Sequence, residues 1–245
     1  MLILNNIDGV EIPFDSKWYN VAISVSGGAD SALLAHVICE LAHQTHATPT
    51  VHIISHTRMW KTRPWQGYDS RRVFDYLSEK FTDLKFIRHA NFIAPELEYG
   101  NTGPSLTDEY GKSVSGDNIQ QRAYAEYICN QYNIEAYYNA VTHNPRDVDL
   151  GGMVERDVEP DKYNEHLVMM RHMDKWALHP LRFTDKSWVV RQYRKRDIMD
   201  LFEMTRSCEG EFDNITYENY RPGQWVPVCG TCFWCKERQW ALEQE

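Results

Sequence analysis

Residues 19–31 restrict the possible folds of this chain more than any other segment, because a strand, a glycine turn and a helix follow one another there. Residues 19–25 form a short apolar and β-branched run, which is typical of a strand buried on both faces. The run ends at Ser26-Gly27-Gly28. Apolar residues then recur at helical spacing, at Leu33, Leu34, Val37, Ile38 and Leu41. We therefore predict the order strand, turn, helix at the start of an open α/β sheet.

Strands and helices continue to alternate after this first unit. The alternation predicts an α/β fold with a parallel sheet covered by helices on both faces. The polar stretch at 145–165 is predicted to be a loop or lid, and residues 184–204 are helical in character, with a break near Lys195. Thr184 or Asp185 is the expected cap. The remaining predicted segments are strands at 50–55, 84–88 and 135–141 and helices at 69–81 and 118–132.

Composition places the chain among ordinary globular proteins. It has 245 residues, of which 42% are hydrophobic, and this length predicts one large domain or one domain with an appendage. No apolar run approaches the roughly 20 residues of a membrane span, and the first residues do not resemble a signal peptide, so we expect a cytoplasmic protein without a membrane partner. The 26 basic and 35 acidic residues leave a net charge of -9, which disfavours nucleic acid as a partner. The dense basic cluster is interpreted as a solvated helix face; it consists of Arg191, Arg194, Lys195 and Arg196.

The glycine turn has the features of an anion site. Ser26-Gly27-Gly28-Ala29-Asp30-Ser31 lies where an open α/β sheet binds ligands, at the carboxyl end of a strand and the start of a helix. Adjacent glycines allow a close approach to the backbone, and the unpaired N–H groups of a helix start favour a phosphate. The alternative is structural: the glycines only make a tight turn, the serines cap the helix, and Asp30 complements the helix dipole.

Four of the six cysteines are grouped near the end of the sequence. Cys208, Cys229, Cys232 and Cys235 are separated by 20, two and two residues. Two-residue spacings let sulfurs converge on one tetrahedral ion, and four thiolates leave no open position, so we predict a structural Zn2+. An iron–sulfur cluster is the alternative, whereas a redox pair needs only two cysteines. Cys39 and Cys129 fall on predicted helices and are expected in the core.

The glycine turn also resembles a known motif. Ser-Gly-Gly-Ala-Asp-Ser after a first strand is similar to the PP-loop of the ATP pyrophosphatase superfamily, whose members cleave ATP between its α- and β-phosphates and adenylate an acceptor. The resemblance implies an adenine nucleotide alpha hydrolase-like, Rossmann-like fold. It implies that Ser55 lies near the adenine. It further implies that the pyrophosphate half of ATP, with Mg2+ nearby, is held by Ser26, Gly27, Gly28, Ala29, Asp30 and Ser31.

The end of the chain resembles one branch of that superfamily. Thr205-Arg206-Ser207-Cys208, followed by Cys229-Gly-x-Cys232-x-x-Cys235-x-x-Arg238, is similar to the C-terminal zinc site of the 7-cyano-7-deazaguanine synthases. Lys186, six residues after Pro180, matches a family lysine that is expected to meet the nucleotide phosphates. The catalytic residues implied by the two resemblances are Asp30, Ser31 and Lys186.

This branch implies an organisation and a reaction. Residues 1–204 would form the ATP-binding α/β domain, and residues 205–245 a zinc-binding segment packed on it. The substrates would be 7-carboxy-7-deazaguanine, ammonia and ATP, and the product would be 7-cyano-7-deazaguanine, a precursor of queuosine. Relatives commonly form homodimers. Arg182 is a further candidate for neutralising phosphate charge, and His143 for relaying protons.

The identity of the acceptor is the point that the residues leave open. Asp117 stands where the family has an arginine, and residues 142–152 do not match the family segment after the fourth strand. The alternatives to the synthase are a divergent relative that makes the amide or adenylates another carboxylate, a tRNA-modifying thiolase, and a non-catalytic nucleotide-binding module. The net charge and the grouped cysteines disfavour the thiolase.

Overall fold

The computed structural model describes residues 4–58, 64–93, 106–107, 113–114, 116–146, 148–151, 167–170, 175–210, 215 and 219–244. The described strands are β1 (Leu4–Ile7), β2 (Val10–Pro13), β3 (Asn20–Ser24), β4 (Thr50–Arg58), β5 (Lys85–Ile93), β6 (Leu106–Thr107), β7 (Ser113–Val114), β8 (Ala136–Tyr138), β9 (Leu167–Met170) and β10 (Lys175–Leu178). The described helices are α1 (Ala29–Gln44), α2 (Gln66–Lys80), α3 (Gly116–Gln131), α4 (Lys186–Lys195), α5 (Met199–Glu203) and α6 (Phe233–Glu243).

A six-stranded sheet in the order β5-β4-β3-β8-β10-β9 carries the described part of the fold. All neighbouring strands are parallel except β9, which runs antiparallel to β10 at one edge. Two short antiparallel pairs, β1–β2 and β6–β7, stand apart from it. The predicted Rossmann-like α/β class is therefore confirmed, with β3 at the centre of the sheet and the glycine turn at its carboxyl end.

Helices cover both faces of this sheet because successive side chains of a strand point in opposite directions. Val21 and Ile23 of β3 belong to the larger core cluster, which also contains buried residues of α1, α2, α4 and α5. Ala22, between them, packs instead with buried residues of α3. Strand β3 is thus buried on both sides, as its apolar composition predicts.

Several predicted boundaries change in the structure. The fourth predicted strand, 135–141, is confined to Ala136–Tyr138. The predicted helix 184–204 is split into α4 and α5, and the break follows Lys195, where Asp197 adopts a left-handed φ of 54°. Asp185 is the N-cap, and its carboxylate accepts hydrogen bonds from the N–H groups of Ser187 and Trp188. Strands β1, β2, β6, β7, β9 and β10 and helix α6 were not predicted. Most of the predicted lid at 145–165 lies outside the described residues.

Three of the four basic residues around the end of α4 make contacts within the chain. Lys195 pairs with Asp8 at 2.6 Å, and Arg196 pairs with Glu40 at 2.9 Å. Arg194 donates to the carbonyls of Leu242 and Gln244, and so fastens α6 to α4. The contacts of Arg194 join the predicted domain at residues 1–204 to the predicted segment at residues 205–245. The boundary between the two stays a prediction. In the residues described, no helix is both long and apolar enough to cross a bilayer.

Candidate functional site

The glycine turn is built around a close approach of α2. Gly27 has a φ of +82°, a left-handed value that glycine adopts without strain. A Cβ on Gly27 would lie 2.7 Å from Asp69 Cβ and 2.9 Å from the Ser70 nitrogen. A side chain at this position would be strained by the backbone conformation and would collide with α2. A glycine is therefore required where the first turn of α2 packs against the glycine turn.

The serines of the turn do not cap α1. Gly28 is the N-cap, and no side chain accepts a hydrogen bond from the first turn of the helix. The Ser31 hydroxyl donates to the Gly28 carbonyl at 3.1 Å and accepts from the Ser26 N–H at 3.2 Å. The Ser26 hydroxyl accepts from the Gly28 N–H at 3.3 Å, but neither serine accepts from an N–H group of the helix itself, so the capping part of the structural alternative is wrong.

The start of α1 leaves donors available for a ligand. In the described residues, no acceptor meets the N–H groups of Ala29, Asp30 or Ser31. Such groups have no partner inside a helix, and the helix dipole adds partial positive charge around them. The turn consequently has the donor arrangement of an anion site, as predicted from its sequence.

A buried lysine lies beside these donors. Lys186, at the start of α4, is 1% exposed, and its ammonium lies 2.5 Å from Asp30 Oδ2 and 3.9 Å from Glu237 Oε2. Thr142 donates to the same Asp30 oxygen at 3.5 Å. The structure therefore brings together Asp30 and Lys186, two residues that are 156 positions apart in sequence.

Glu237 was not predicted as part of this site. It is completely buried in α6, two residues after Cys235. The buried face of α6 consists of Phe233, Glu237 and Ala241, which follow one another at intervals of four residues. A charged residue in the middle of that stripe was the signal in the sequence that could have identified it.

The segment after α5 connects the turn to the cysteines. The Arg206 N–H donates to the Gly27 carbonyl at 2.9 Å. A Cβ on Gly28 would lie 3.7 Å from Ser207 Oγ. Arg238 of α6 donates to Thr205 Oγ1 at 2.9 Å and stacks on the Phe202 ring. Arg206 and Ser207, which immediately precede Cys208, therefore lie against the glycine turn.

The four grouped cysteines converge as predicted. The Sγ atoms of Cys208, Cys229, Cys232 and Cys235 all lie within 4.8 Å of one another. Backbone N–H groups of Gly210 and Cys229 donate to Cys208 Sγ, each at 3.4 Å. Although burial opposes it, hydrogen bonds from the Cys232 and Thr231 N–H groups lower the pKa of Cys229 to about 6. Burial raises the pKa of Cys232 and of Cys235, so of these three thiols only Cys229 is favoured as a thiolate by the protein itself. The group has the four sulfur donors of a metal site.

Other predicted residues lie elsewhere. The Ser55 hydroxyl is buried and donates to the His89 carbonyl at 3.2 Å, and its place near the adenine stays a prediction. His143 follows Thr142 and lines a separate cleft with Phe183. Arg182 is buried, with its guanidinium over the Phe183 ring. Cys39 and Cys129 are core residues, as expected.

Comparisons with known proteins find distant likeness in structure only. No protein-family model and no curated protein matches the chain. A U34-tRNA thiolase from Methanococcus maripaludis, solved with its [4Fe-4S] cluster, is 14% identical with a TM-score of 0.44; the match covers 74% of this chain and 58% of the thiolase. A phosphoadenylyl-sulfate reductase from Candida auris, solved with phosphate, is 9% identical with a TM-score of 0.40, over 80% and 83% of the two chains. Similarity at this level transfers neither a substrate nor a cofactor to this chain.

Proposed function

We propose that the protein uses ATP to adenylate a carboxylate, with the triphosphate bound at the glycine turn. The observation that carries this proposal is the set of three N–H groups at the start of α1 that no described acceptor meets. They face the same end of the sheet as the buried Lys186 ammonium. This is an arrangement for phosphate oxygens next to a cation, at the position where open α/β sheets bind their ligands.

The protein contributes position and charge to this reaction. The N–H groups of Ala29, Asp30 and Ser31 stabilise the pyrophosphate as it departs, and Lys186 neutralises phosphate charge. Asp30 holds the Lys186 ammonium in place. Asp30 Oδ1 is buried without a hydrogen-bond partner in the described structure, which leaves one carboxylate oxygen suited to Mg2+ arriving with ATP.

The proposed acceptor is 7-carboxy-7-deazaguanine, on the strength of the sequence resemblance of residues 205–238. Its carboxylate attacks the α-phosphorus of ATP and gives the acyl-adenylate and pyrophosphate. Ammonia then displaces AMP and forms the amide. A second ATP adenylates the amide oxygen, and loss of AMP leaves the nitrile. Two AMP molecules are thus released for each nitrile, and each AMP carries away one of the two carboxylate oxygens.

The cysteines are proposed to hold structural zinc. Zinc–thiolate bonds of about 2.3 Å in a tetrahedron place the sulfurs about 3.8 Å apart. Cys229 Sγ and Cys235 Sγ are 3.9 Å apart, and the whole group lies within 4.8 Å. In a four-iron cluster each thiolate binds a different iron, so its sulfurs must stand further apart by the size of the cluster. Zinc holds the segment over the glycine turn and takes no part in the chemistry.

A product assay tests this proposal. The protein is incubated with ATP, Mg2+, ammonium and 7-carboxy-7-deazaguanine, and we expect AMP, pyrophosphate and the mass of the nitrile. Asp30→Ala should abolish turnover with the fold intact, whereas Asp75→Ala, at an exposed position of α2, should not change it. Full activity of Asp30→Ala would contradict the assigned nucleotide site.

Metal analysis, together with the products of the assay, separates the alternative functions. Metal analysis should find about one zinc per chain; iron with acid-labile sulfide, together with sulfur transfer to tRNA, would support a thiolase instead. ATP binding with no product from any carboxylate would support a nucleotide-binding module. An amide that accumulates without nitrile would indicate the divergent relative.

A further inference from the structure

A cleft of about 420 Å3 opens beside the glycine turn, between the start of α2 and the segment after α5. Trp65 and Tyr220 line it and belong to a small apolar cluster of their own. Tyr68, Trp225 and Val228 also line it. We call this site the Trp65 cleft. Its volume is within the range of pockets that bind small molecules.

Aromatic surface is left exposed around the Trp65 cleft. Trp225 is 81% exposed, and Tyr68 and Val228 are also among the exposed large apolar residues. Apolar side chains grouped around one concavity and open to water are typical of a binding site, whereas single exposed apolar residues are ordinary. Flat rings in particular favour a flat partner, on which they can stack.

Two buried polar groups of the Trp65 cleft have hydrogen-bonding capacity that the described residues do not use. Asp69 is 7% exposed and Tyr220 8% exposed. Asp69 Oδ2 meets no donor among the described residues, and the Tyr220 O–H meets no acceptor among them, although a backbone hydrogen bond from Gly223 acts on the Tyr220 oxygen. Burial raises the pKa of Asp69 to about 6, although Arg206 and Arg72 oppose the shift. Unpaired buried polar atoms are costly, and a ligand that pairs with them removes the cost.

We propose that the Trp65 cleft binds a planar heterocycle that carries an N–H donor beside a ring acceptor. The N–H donates to Asp69 Oδ2, the acceptor receives the Tyr220 hydroxyl, and the ring stacks on the exposed aromatic side chains. Asp69 is also the residue that packs against Gly27, so the cleft adjoins the turn. For the identity of the occupant the inference rests on the proposed function: the heterocycle is the acceptor, with its carboxylate towards the bound ATP.

Binding is measured by titration calorimetry without nucleotide, at pH 8, where Asp69 is ionised. The probe is 7-deazaguanine, and indole, a bicycle of similar size with one N–H and no ring acceptor, is the matched control. We expect saturable binding of 7-deazaguanine at one site per chain, with indole at least tenfold weaker. Asp69→Asn and Tyr220→Phe should each weaken the binding of 7-deazaguanine about tenfold.

Asp75→Asn on α2 and Tyr127→Phe on α3 are matched exposed controls and should leave the affinity unchanged. Tyr220→Phe removes only the hydroxyl oxygen and is expected to fold. Its affinity for 7-deazaguanine therefore tests the inference if Asp69→Asn does not fold. Affinity for 7-deazaguanine as high as that of the parent in both cleft variants, binding of indole as tight as that of 7-deazaguanine, or binding only of a base within an RNA oligonucleotide would each overturn the inference. Because no nucleotide is present, a protein that fails to turn over ATP can still pass this test.

Discussion

Lys186 illustrates how much a single buried charge determines in this molecule. It lies between the carboxylates of Asp30 and Glu237, at 2.5 Å and 3.9 Å. Lys186→Met removes the cation and leaves Glu237, which is fully buried, without its ammonium neighbour. We expect the free energy of unfolding in urea to fall by about 3 kcal/mol, because removing one member of a buried ion pair strands the other charge.

Two variants check this expectation for Lys186. The double variant Lys186→Met/Glu237→Gln should recover part of the lost stability, since it also removes the negative charge of the fully buried Glu237. Lys195→Met removes an exposed lysine at the other end of the same helix and should cost less than about 1 kcal/mol. Equal stability of Lys186→Met and the parent protein would contradict the arrangement.

His36 makes stability depend on pH. It is buried in α1, neither ring nitrogen has a partner among the described residues, and burial, with the charges of Lys80 and Arg196, lowers its pKa from 6.5 to about 3. Between these values the unfolded chain binds the proton more readily than the folded protein. Stability therefore falls as the pH falls, by about 2 kcal/mol for this group between pH 7 and pH 5.

Urea unfolding at the two pH values measures the contribution of His36. His36→Leu should reduce the loss between pH 7 and pH 5 by about 2 kcal/mol, because the titrating group is gone. His46→Gln, at an exposed position, should keep the loss of the parent protein. The same pH dependence in His36→Leu and the parent would show that His36 is not held neutral by burial.

At the scale of elements, the turn between β3 and α1 depends on Gly27. Gly27→Ala adds a methyl group at a φ of +82° and 2.7 Å from Asp69 Cβ. Gly9→Ala is the matched control, since Gly9 has a φ of +84° with nothing within 4 Å of the added carbon. We expect Gly9→Ala to cost about 1–2 kcal/mol from the backbone alone and Gly27→Ala to cost a further 1–3 kcal/mol from the collision with α2. Similar unfolding free energies for the two variants would mean that α2 does not pack against the turn.

The cysteine group depends in the same way on Gly210. A Cβ there would lie 2.6 Å from both Cβ and Sγ of Cys229 and 3.5 Å from Cys208 Sγ. Gly210→Ala should displace these ligands and weaken zinc binding about 10- to 100-fold, as measured by competition with a chromogenic chelator. Gly230→Ala, in the same loop, adds a methyl group with nothing within 4 Å and brings only the backbone strain of a φ of +72°, so it should weaken zinc binding less than Gly210→Ala does. Unchanged affinity in Gly210→Ala would contradict the packing around the sulfurs.

The elements that the sequence predicts well are those with a local signal. The unit of β3, turn and α1 has a buried run, two glycines and helical spacing, and it appears as predicted. The β1–β2 hairpin also had a signal, because Asp8-Gly9 is a favoured turn pair and both residues adopt positive φ, yet it was overlooked. The edge strand β9 and its neighbour β10 have four residues each, too few for a distinct periodicity.

In the whole molecule, the site is assembled by residues that the sequence keeps far apart. The convergence of the four cysteines follows from their spacing alone. The contacts from Arg206 to Gly27 and from Lys186 to Glu237 join segments whose proximity only the folded chain reveals. Asp69 and Tyr220 carry no motif at all, and line one cleft only because α2 and the segment after α5 enclose it. Motifs therefore predicted the glycine turn and the cysteine group, and long-range packing determined how these parts are arranged.

The fate of oxygen tests the central claim, that a carboxylate attacks the α-phosphorus of ATP held at the glycine turn. The protein is incubated with ATP, Mg2+, ammonium and 7-carboxy-7-deazaguanine whose carboxylate is labelled with heavy oxygen, and the AMP is analysed by mass spectrometry. The account predicts AMP that carries one heavy oxygen from the acceptor, with pyrophosphate as the other product. AMP without the label, or ADP and phosphate in place of AMP and pyrophosphate, would contradict it.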